Sequence, residues 1–124
     1  MKKLKWYKDI DYGQTKFAVD KATVWRATYK GKEGKFDLEV FPLKLINKDE
    51  EGWQDRFTED IKDVDGTIVK FDSGYPTNWG VSSAKVAMKR AETTLKDILE
   101  ERRKWAEDTL EERREKRKAQ KAKA

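Results

Sequence analysis

Residues 82–99 read SSAKVAMKRAETTLKDIL, and this stretch decides the fold. Its apolar residues recur at steps of three and four, which is the period of one face of an α-helix. The residues of this predicted face are Ala84, Met88, Ala91, Leu95 and Ile98. A serine hydroxyl can accept a hydrogen bond from an amide of the first helical turn, so Ser82 or Ser83 is the expected N-cap.

The helical pattern continues well beyond its apolar face. Trp105 and Leu110 extend the face loosely, and every residue from 111 to 118 is charged. A helix of about 40 residues is about 60 Å long, whereas a sheet of four strands is only about 15–20 Å wide. The chain is therefore expected to have two parts. Residues 1–99 form a domain that includes the packing half of the helix, and residues 100–124 form a charged extension that projects or frays.

Upstream of the helix, the sequence predicts an antiparallel sheet. Residues 23–29 and 36–40 are rich in β-branched and aromatic side chains, and apolar and polar positions alternate along them. The glycines of residues 31–34 provide the loop between these two strands. A third, weaker strand is expected at residues 53–57, and a fourth strand is expected at residues 67–71, after the turn signal of Asp65-Gly66.

Details of the sheet follow from single residues. Pro42 lacks the amide hydrogen that a ladder requires, so it predicts a bulge or an edge position. Near the N-terminus, a short strand is expected at residues 4–7 and a turn at residues 11–13. The expected core aromatics are Trp25, Phe36 and Phe71. The predicted fold class is α+β: an antiparallel β-meander of roughly three to five strands, packed by one long C-terminal α-helix that projects beyond the sheet.

The residue types limit the chemistry. The chain has no cysteine and no histidine, which removes the thiolate nucleophile, the commonest general base and most transition-metal ligands. Asp63, Asp65 and Gly66 resemble part of a calcium loop, but the first ligand position of such a loop falls on Ile61. We therefore expect a non-catalytic protein with no cofactor and no metal. No apolar run approaches the length of a membrane span, and a cytoplasmic protein without membrane contact is expected.

Charge is distributed unevenly along the chain. Residues 1–36 carry ten basic and four acidic side chains, residues 37–65 carry four and ten, and residues 66–124 carry fifteen and ten. Surfaces of opposite sign are therefore expected, and the acidic one is a candidate mimic of nucleic acid. The candidate acidic surface consists of Asp49, Glu50, Glu51, Asp55, Glu59, Asp60 and Asp63.

The basic candidates lie in the hairpin loop and in the helix. Lysines surround the loop glycines, and Lys30, Lys32 and Lys35 are possible phosphate contacts. Trp105 follows two arginines and a lysine, and a tryptophan beside arginine is a frequent composition of binding hot spots. The predicted partner-binding residues are Trp79, Arg102, Arg103, Trp105, Arg113, Arg114, Arg117 and Lys118.

Several short motifs carry a resemblance to a class of small modules. They are Trp25-Arg26-Ala27, the strand at residues 34–40, Gly52-Trp53, Gly66, and the start of the helix at residues 83–92. Over residues 23–99 the chain is similar to strand–strand–strand–helix modules of phage and mobile-element reading frames. Its length, its lack of cysteine and histidine, and its richness in lysine and glutamate also resemble small phage proteins that disable host defences, including anti-CRISPR proteins.

Three functions fit these observations. The first is a phage-type inhibitor or modulator that docks on a host nucleic-acid-processing complex, of the CRISPR kind, and occludes it; the acidic segment would enter a cationic channel. The second is an accessory module that binds DNA or RNA directly through its basic N-terminus and tail. The third is a structural protein that dimerises through its helix. The expected partner is a host protein or nucleoprotein complex, and the chain is expected to be a monomer or a homodimer.

Overall fold

A computed structural model describes residues 3–62, 65, 68–74 and 80–123. The described residues form one antiparallel sheet with strand order β1-β2-β3-β4-β5, followed by one long helix. The α+β prediction, a meander followed by a C-terminal helix, is confirmed. The elements are β1 (Tyr7–Tyr12), β2 (Lys21–Gly31), β3 (Gly34–Pro42), a short 3-10 helix (Leu43–Leu45), β4 (Trp53–Lys62), β5 (Ile68–Gly74) and α1 (Ala84–Lys123).

The hairpin between β2 and β3 forms where its glycines predict it. Gly31 pairs with Gly34 across the turn, and Gly34 has a φ of +138°, a conformation that side-chain-bearing residues rarely adopt. Along β3, Phe36, Leu38 and Val40 are buried on the face toward the helix, as their alternation predicts.

The first strand differs from its prediction. β1 covers Tyr7–Tyr12 rather than residues 4–7, and the chain turns only after Tyr12. Asp9 and Asp11 disfavour a strand locally, but β2 supplies a partner: Arg26 forms ion pairs with both carboxylates. Residues 3–6 instead pass beneath the helix, where Leu4 is buried in the core and the indole Nε1 of Trp6 donates a hydrogen bond to Glu92 at 2.8 Å.

Pro42 lies at the end of β3, where β4 alone pairs with the strand. The register of β3 with β4 continues through Pro42 opposite Trp53, so Pro42 marks no bulge. The register of β3 with β2 ends at Val40, so Pro42 occupies an edge position of the ladder, one of the two predicted alternatives. After Pro42 the apolar residues Leu43 and Leu45 no longer follow the alternation of β3, because they lie in the 3-10 helix. This helix buries Leu45 against Val24 and Phe41 on the other face of the sheet. β4 runs to Lys62, five residues beyond the prediction.

The helix packs on β3 and β4 through a narrow face. Ser83 is its N-cap: the Ser83 hydroxyl accepts a hydrogen bond from the amide of Val86 at 3.2 Å. The residues of the helix that are fully buried are Ala87, Ala91, Leu95 and Leu99. Of these, Ala91, Leu95 and Leu99 form one cluster with Ala27, Phe36, Leu38 and Phe57 of the sheet. Alanines at this face let the helix approach the sheet closely, and the two leucines supply most of the buried area.

Of the predicted core aromatics, Phe36 is buried, whereas Trp25 is half-buried near the margin of the helix. The ammonium group of Lys8 lies 5.3 Å from the centre of the Trp25 ring. The side chain of Phe71 lies outside the described part of the structure.

Beyond Arg102 the helix leaves the sheet. Every residue from 103 to 121 is exposed except Thr109, which is half-buried. We call residues 103–123 the helix extension; at 1.5 Å per residue it is about 30 Å long. No helix among the described residues is both long and apolar enough to cross a membrane.

Candidate binding surface at the hairpin end of the sheet

Two arginines of the helix bind carboxylates of β4. Arg90 donates from Nε and Nη2 to Oδ1 of Asp55, at 2.9 and 2.5 Å. Arg102 forms a two-pronged contact with Glu59 and also donates to the carbonyl of Glu33 at 3.1 Å. Because Asp55 and Glu59 lie on the same face of β4, these contacts attach the helix to the sheet at two points.

The predicted acidic surface is therefore wrong in its middle part. Asp55 is 0% exposed, and the side chains of Glu59 and Asp60 are only 12% and 14% exposed. Asp60 lies 3.4 Å from the Nζ of Lys35. These three carboxylates neutralise the protein's own cations, so they do not form an acidic surface for a partner.

The remaining acidic candidates are separated from these residues. Asp49, Glu50 and Glu51 are exposed in the loop between the 3-10 helix and β4, at the opposite end of the sheet from the β2–β3 turn. Exposed Lys44 and Lys48 lie within the same stretch, which reduces its negative charge. Asp63 and Trp79 lie outside the described residues.

At the β2–β3 turn, Glu33 is enclosed by the helix. Its carboxylate accepts hydrogen bonds from Nε of Arg103 at 2.7 Å and from the hydroxyl of Tyr29 at 2.8 Å. The Arg103 guanidinium, followed by the Tyr29 hydroxyl, lowers the pKa of Glu33 from 4.5 to about 2. Arg102 and Arg103, two of the predicted partner-binding residues, hold the hairpin against the helix. The side chains of Arg102 and Arg103 remain 40% and 50% exposed, respectively.

A groove lined by lysines lies between residues 3–5 and the end of β2. Its volume is about 600 Å³, and we call it the lysine groove after Lys3, Lys5, Lys30 and Lys32. Sequence reasoning found Lys30 and Lys32 but did not join them to Lys3 and Lys5. The contacts of Leu4 and Trp6 with the core and with Glu92 place that segment beside β2. An apolar–basic alternation at residues 3–6 is the only local signal for this arrangement.

A second groove lies on the other side of the same turn, between the hairpin and the helix. Its volume is about 720 Å³, and its lining includes Lys32, Arg103 and Trp105. We call it the tryptophan groove. Trp105 is 71% exposed, which is far above the exposure of an ordinary tryptophan. Lys32 lines both grooves, so they lie next to each other at the turn.

The helix extension carries its charges on different sides. Arg113 follows Leu95 by five helical turns and points in the same direction, and Lys116 and Arg117 fall beside it at about 100° per residue. The far half of the helix carries the acids Glu107, Asp108, Glu111, Glu112 and Glu115, together with Arg114 and Lys118. The predicted residues Arg113, Arg114, Arg117 and Lys118 are all exposed. The basic side of the extension therefore continues the face that covers the sheet and overhangs the hairpin end.

No known protein family, characterised protein or solved structure matches this chain.

Proposed function

We propose that this chain is a non-catalytic binding protein that engages the nucleic-acid component of a nucleic-acid-processing complex through the hairpin end of its sheet. The single observation that carries the proposal is the collection of cations at that end that have no ion-pair partner among the described residues: the lysine groove and the basic side of the helix extension. Regularly spaced cations bind phosphate backbones by releasing condensed counterions.

The pairing of the acidic side chains supports this assignment. Glu33 and Glu59 lie closest to the hairpin end, and each is bound to an arginine of the helix. Within the described residues, none of the lysines of the lysine groove has an ion-pair partner. Folding thus neutralises Glu33 and Glu59 and leaves the lysines available to a polyanion, while exposed Glu107 is the acidic side chain that lines the tryptophan groove beside Glu33.

The alternative of a protein partner rests on one specific observation. Trp105 is exposed next to Arg103, and an arginine–tryptophan pair can anchor a protein interface. A phage-type inhibitor that occludes a CRISPR-like complex could act by binding either the nucleic acid or a protein of that complex. Asp55, Glu59 and Asp60 are paired with cations of the protein itself and cannot form an acidic mimic of nucleic acid, so we place direct contact with nucleic acid first. Dimerisation through the helix stays a third hypothesis, tested by sedimentation.

The test is a salt titration of the full chain against generic DNA. The variant replaces the four cations on the basic side of the helix extension, Arg113, Lys116, Arg117 and Lys121, with glutamine. We expect the slope of log affinity against log salt to fall by about 3–4, at about 0.9 per lost phosphate contact. The matched control removes the same number of charges from the opposite end of the sheet, by replacing Lys16, Lys21, Lys44 and Lys48 with glutamine.

The control variant should retain the slope of the unaltered protein. Equal slopes in all three proteins, or no salt-dependent binding, would contradict the proposal. A complex captured from cell lysate that persists after nuclease treatment and requires Trp105 would favour the protein partner instead.

A further inference from the structure

We infer that the two grooves around the β2–β3 turn bind single-stranded nucleic acid, with the backbone in the lysine groove and a base stacked on Trp105. This inference rests on the proposed function and adds the kind of strand that the surface selects.

The lysine groove has the chemistry of a phosphate track. Lys3 and Lys5 approach it from the N-terminal segment, and Lys30 and Lys32 approach it from the end of β2. No acidic side chain is among its lining residues. The one acid of the hairpin turn, Glu33, is turned toward Arg103 and Tyr29 and does not compete for these lysines.

The position of Lys32 connects the phosphate track with an aromatic surface. Lys32 lines both grooves, and Trp105 lines the second. A strand whose phosphates follow the lysines around the turn therefore reaches the exposed indole. A second cation, Arg103, is held near the indole by its hydrogen bond to Glu33, so its position is fixed before a ligand binds.

An exposed indole distinguishes single strands from duplexes. In a duplex the faces of the bases are covered by their neighbours, whereas an unpaired base offers a free face for stacking. A lysine track with one stacking residue also gives little sequence preference, because every base has such a face. The expected ligand is therefore any flexible single strand of DNA or RNA.

The experiment measures fluorescence anisotropy with the full chain and three labelled ligands: an oligothymidylate, an abasic deoxyribose-phosphate oligomer of equal length, and a duplex. We expect the oligothymidylate to bind about tenfold more tightly than the abasic oligomer, which is the effect of one stacked base. Trp105→Ala should abolish this difference and leave the abasic affinity unchanged. The matched control Leu110→Ala removes another exposed apolar side chain of the extension and should retain the difference.

A second variant tests the lysine groove by replacing Lys3, Lys5, Lys30 and Lys32 with glutamine. For the oligothymidylate, we expect its salt slope to fall by about 3, at about 0.7 per contact on single strands. The variant of the opposite end, with Lys16, Lys21, Lys44 and Lys48 replaced, should retain the slope.

The outcomes separate this inference from the proposed function. Equal affinity for the base-bearing and abasic oligomers, or an unchanged slope in the lysine-groove variant, would overturn the inference while salt-dependent DNA binding upheld the proposed function. The absence of salt-dependent binding to all three ligands would overturn both.

Discussion

The contact between Arg90 and Asp55 provides the sharpest test of how the helix is attached to the sheet. Asp55 is fully buried, and its Oδ1 accepts two hydrogen bonds from Arg90. Its Oδ2 has no hydrogen-bond partner among the described residues. Replacement of Arg90 by methionine leaves a buried carboxylate without its cation. We expect a loss of about 3–5 kcal/mol in the free energy of unfolding, a large fraction of the stability of a small domain.

The expected loss in the free energy of unfolding comes from the unpaired carboxylate of Asp55, and a second substitution tests this cause directly. In the double variant Asp55→Val/Arg90→Met, no charge is left at the site, and apolar replacements of a buried pair are often neutral. We therefore expect the double variant to recover most of the loss. The control Arg114→Met, on the exposed extension, should change the free energy by less than about 0.5 kcal/mol.

The assay is urea unfolding followed by circular dichroism and tryptophan fluorescence, with the slope of the transition compared among variants. The reasoning is refuted if Arg90→Met costs no more than Arg114→Met. It is also refuted if the double variant is as unstable as the single one, because the loss then comes from packing and not from an uncompensated charge.

Three other predictions concern the hairpin, the core and the first strand. Carbon-detected NMR should give Glu33 a pKa of about 2, and Arg103→Ala should raise that pKa toward 4.5. Because the folded-state pKa is lowered, the contribution of Glu33 to stability is present above about pH 4.5 and is lost as the pH falls through about 2. Leu95→Ala should cost about 2–5 kcal/mol in urea unfolding, since Leu95 is fully buried; the same substitution at exposed Leu110 should cost less than about 0.5 kcal/mol. Arg26→Met should accelerate amide hydrogen exchange in β1, because Arg26 joins that strand to its neighbour through two carboxylates; unchanged exchange would show that the ladder alone holds the strand.

Periodic local signals predicted the helix and the central hairpin. The apolar steps of residues 84–98 gave the packing face, and Ser83 is one of the two expected caps. Around the turn, Gly34 has the positive φ that favours glycine. Such features depend on residues that are only a few positions apart in the chain. They can therefore be recognised from one sequence without knowledge of the tertiary structure.

The incorrect predictions concern charged residues whose ion-pair partners are distant in the sequence. The uneven charge along the chain places Asp55 in the predicted acidic surface, but Asp55 is buried against Arg90, which lies 35 residues away. Asp9 and Asp11 obscured β1 in the same manner, because Arg26 is supplied by the next strand. One sequence signal indicates the burial of Asp55. It lies two residues before Phe57, and residues two apart in a strand share a face, so Asp55 lies on the core face of β4.

The candidate site was predictable only in parts. Lys30, Lys32 and Trp105 stand out by residue type, but their common location depends on how the hairpin meets the helix. Lys3 and Lys5 join them only because Leu4 is buried in the core. Charge composition predicted a binding protein, and the tertiary contacts distinguish the cations that are neutralised from those that remain available.

The central claim is that the helix serves folding as far as Arg103 and binding beyond it. The most direct test removes all residues after Leu110 and measures both properties in the same protein. The account predicts that the free energy of unfolding changes by less than about 0.5 kcal/mol, because residues 111–121, the removed residues whose side chains the structure describes, are all exposed, while the salt slope of DNA binding falls. Unfolding of the truncated protein, or DNA binding with an undiminished salt slope, would contradict it.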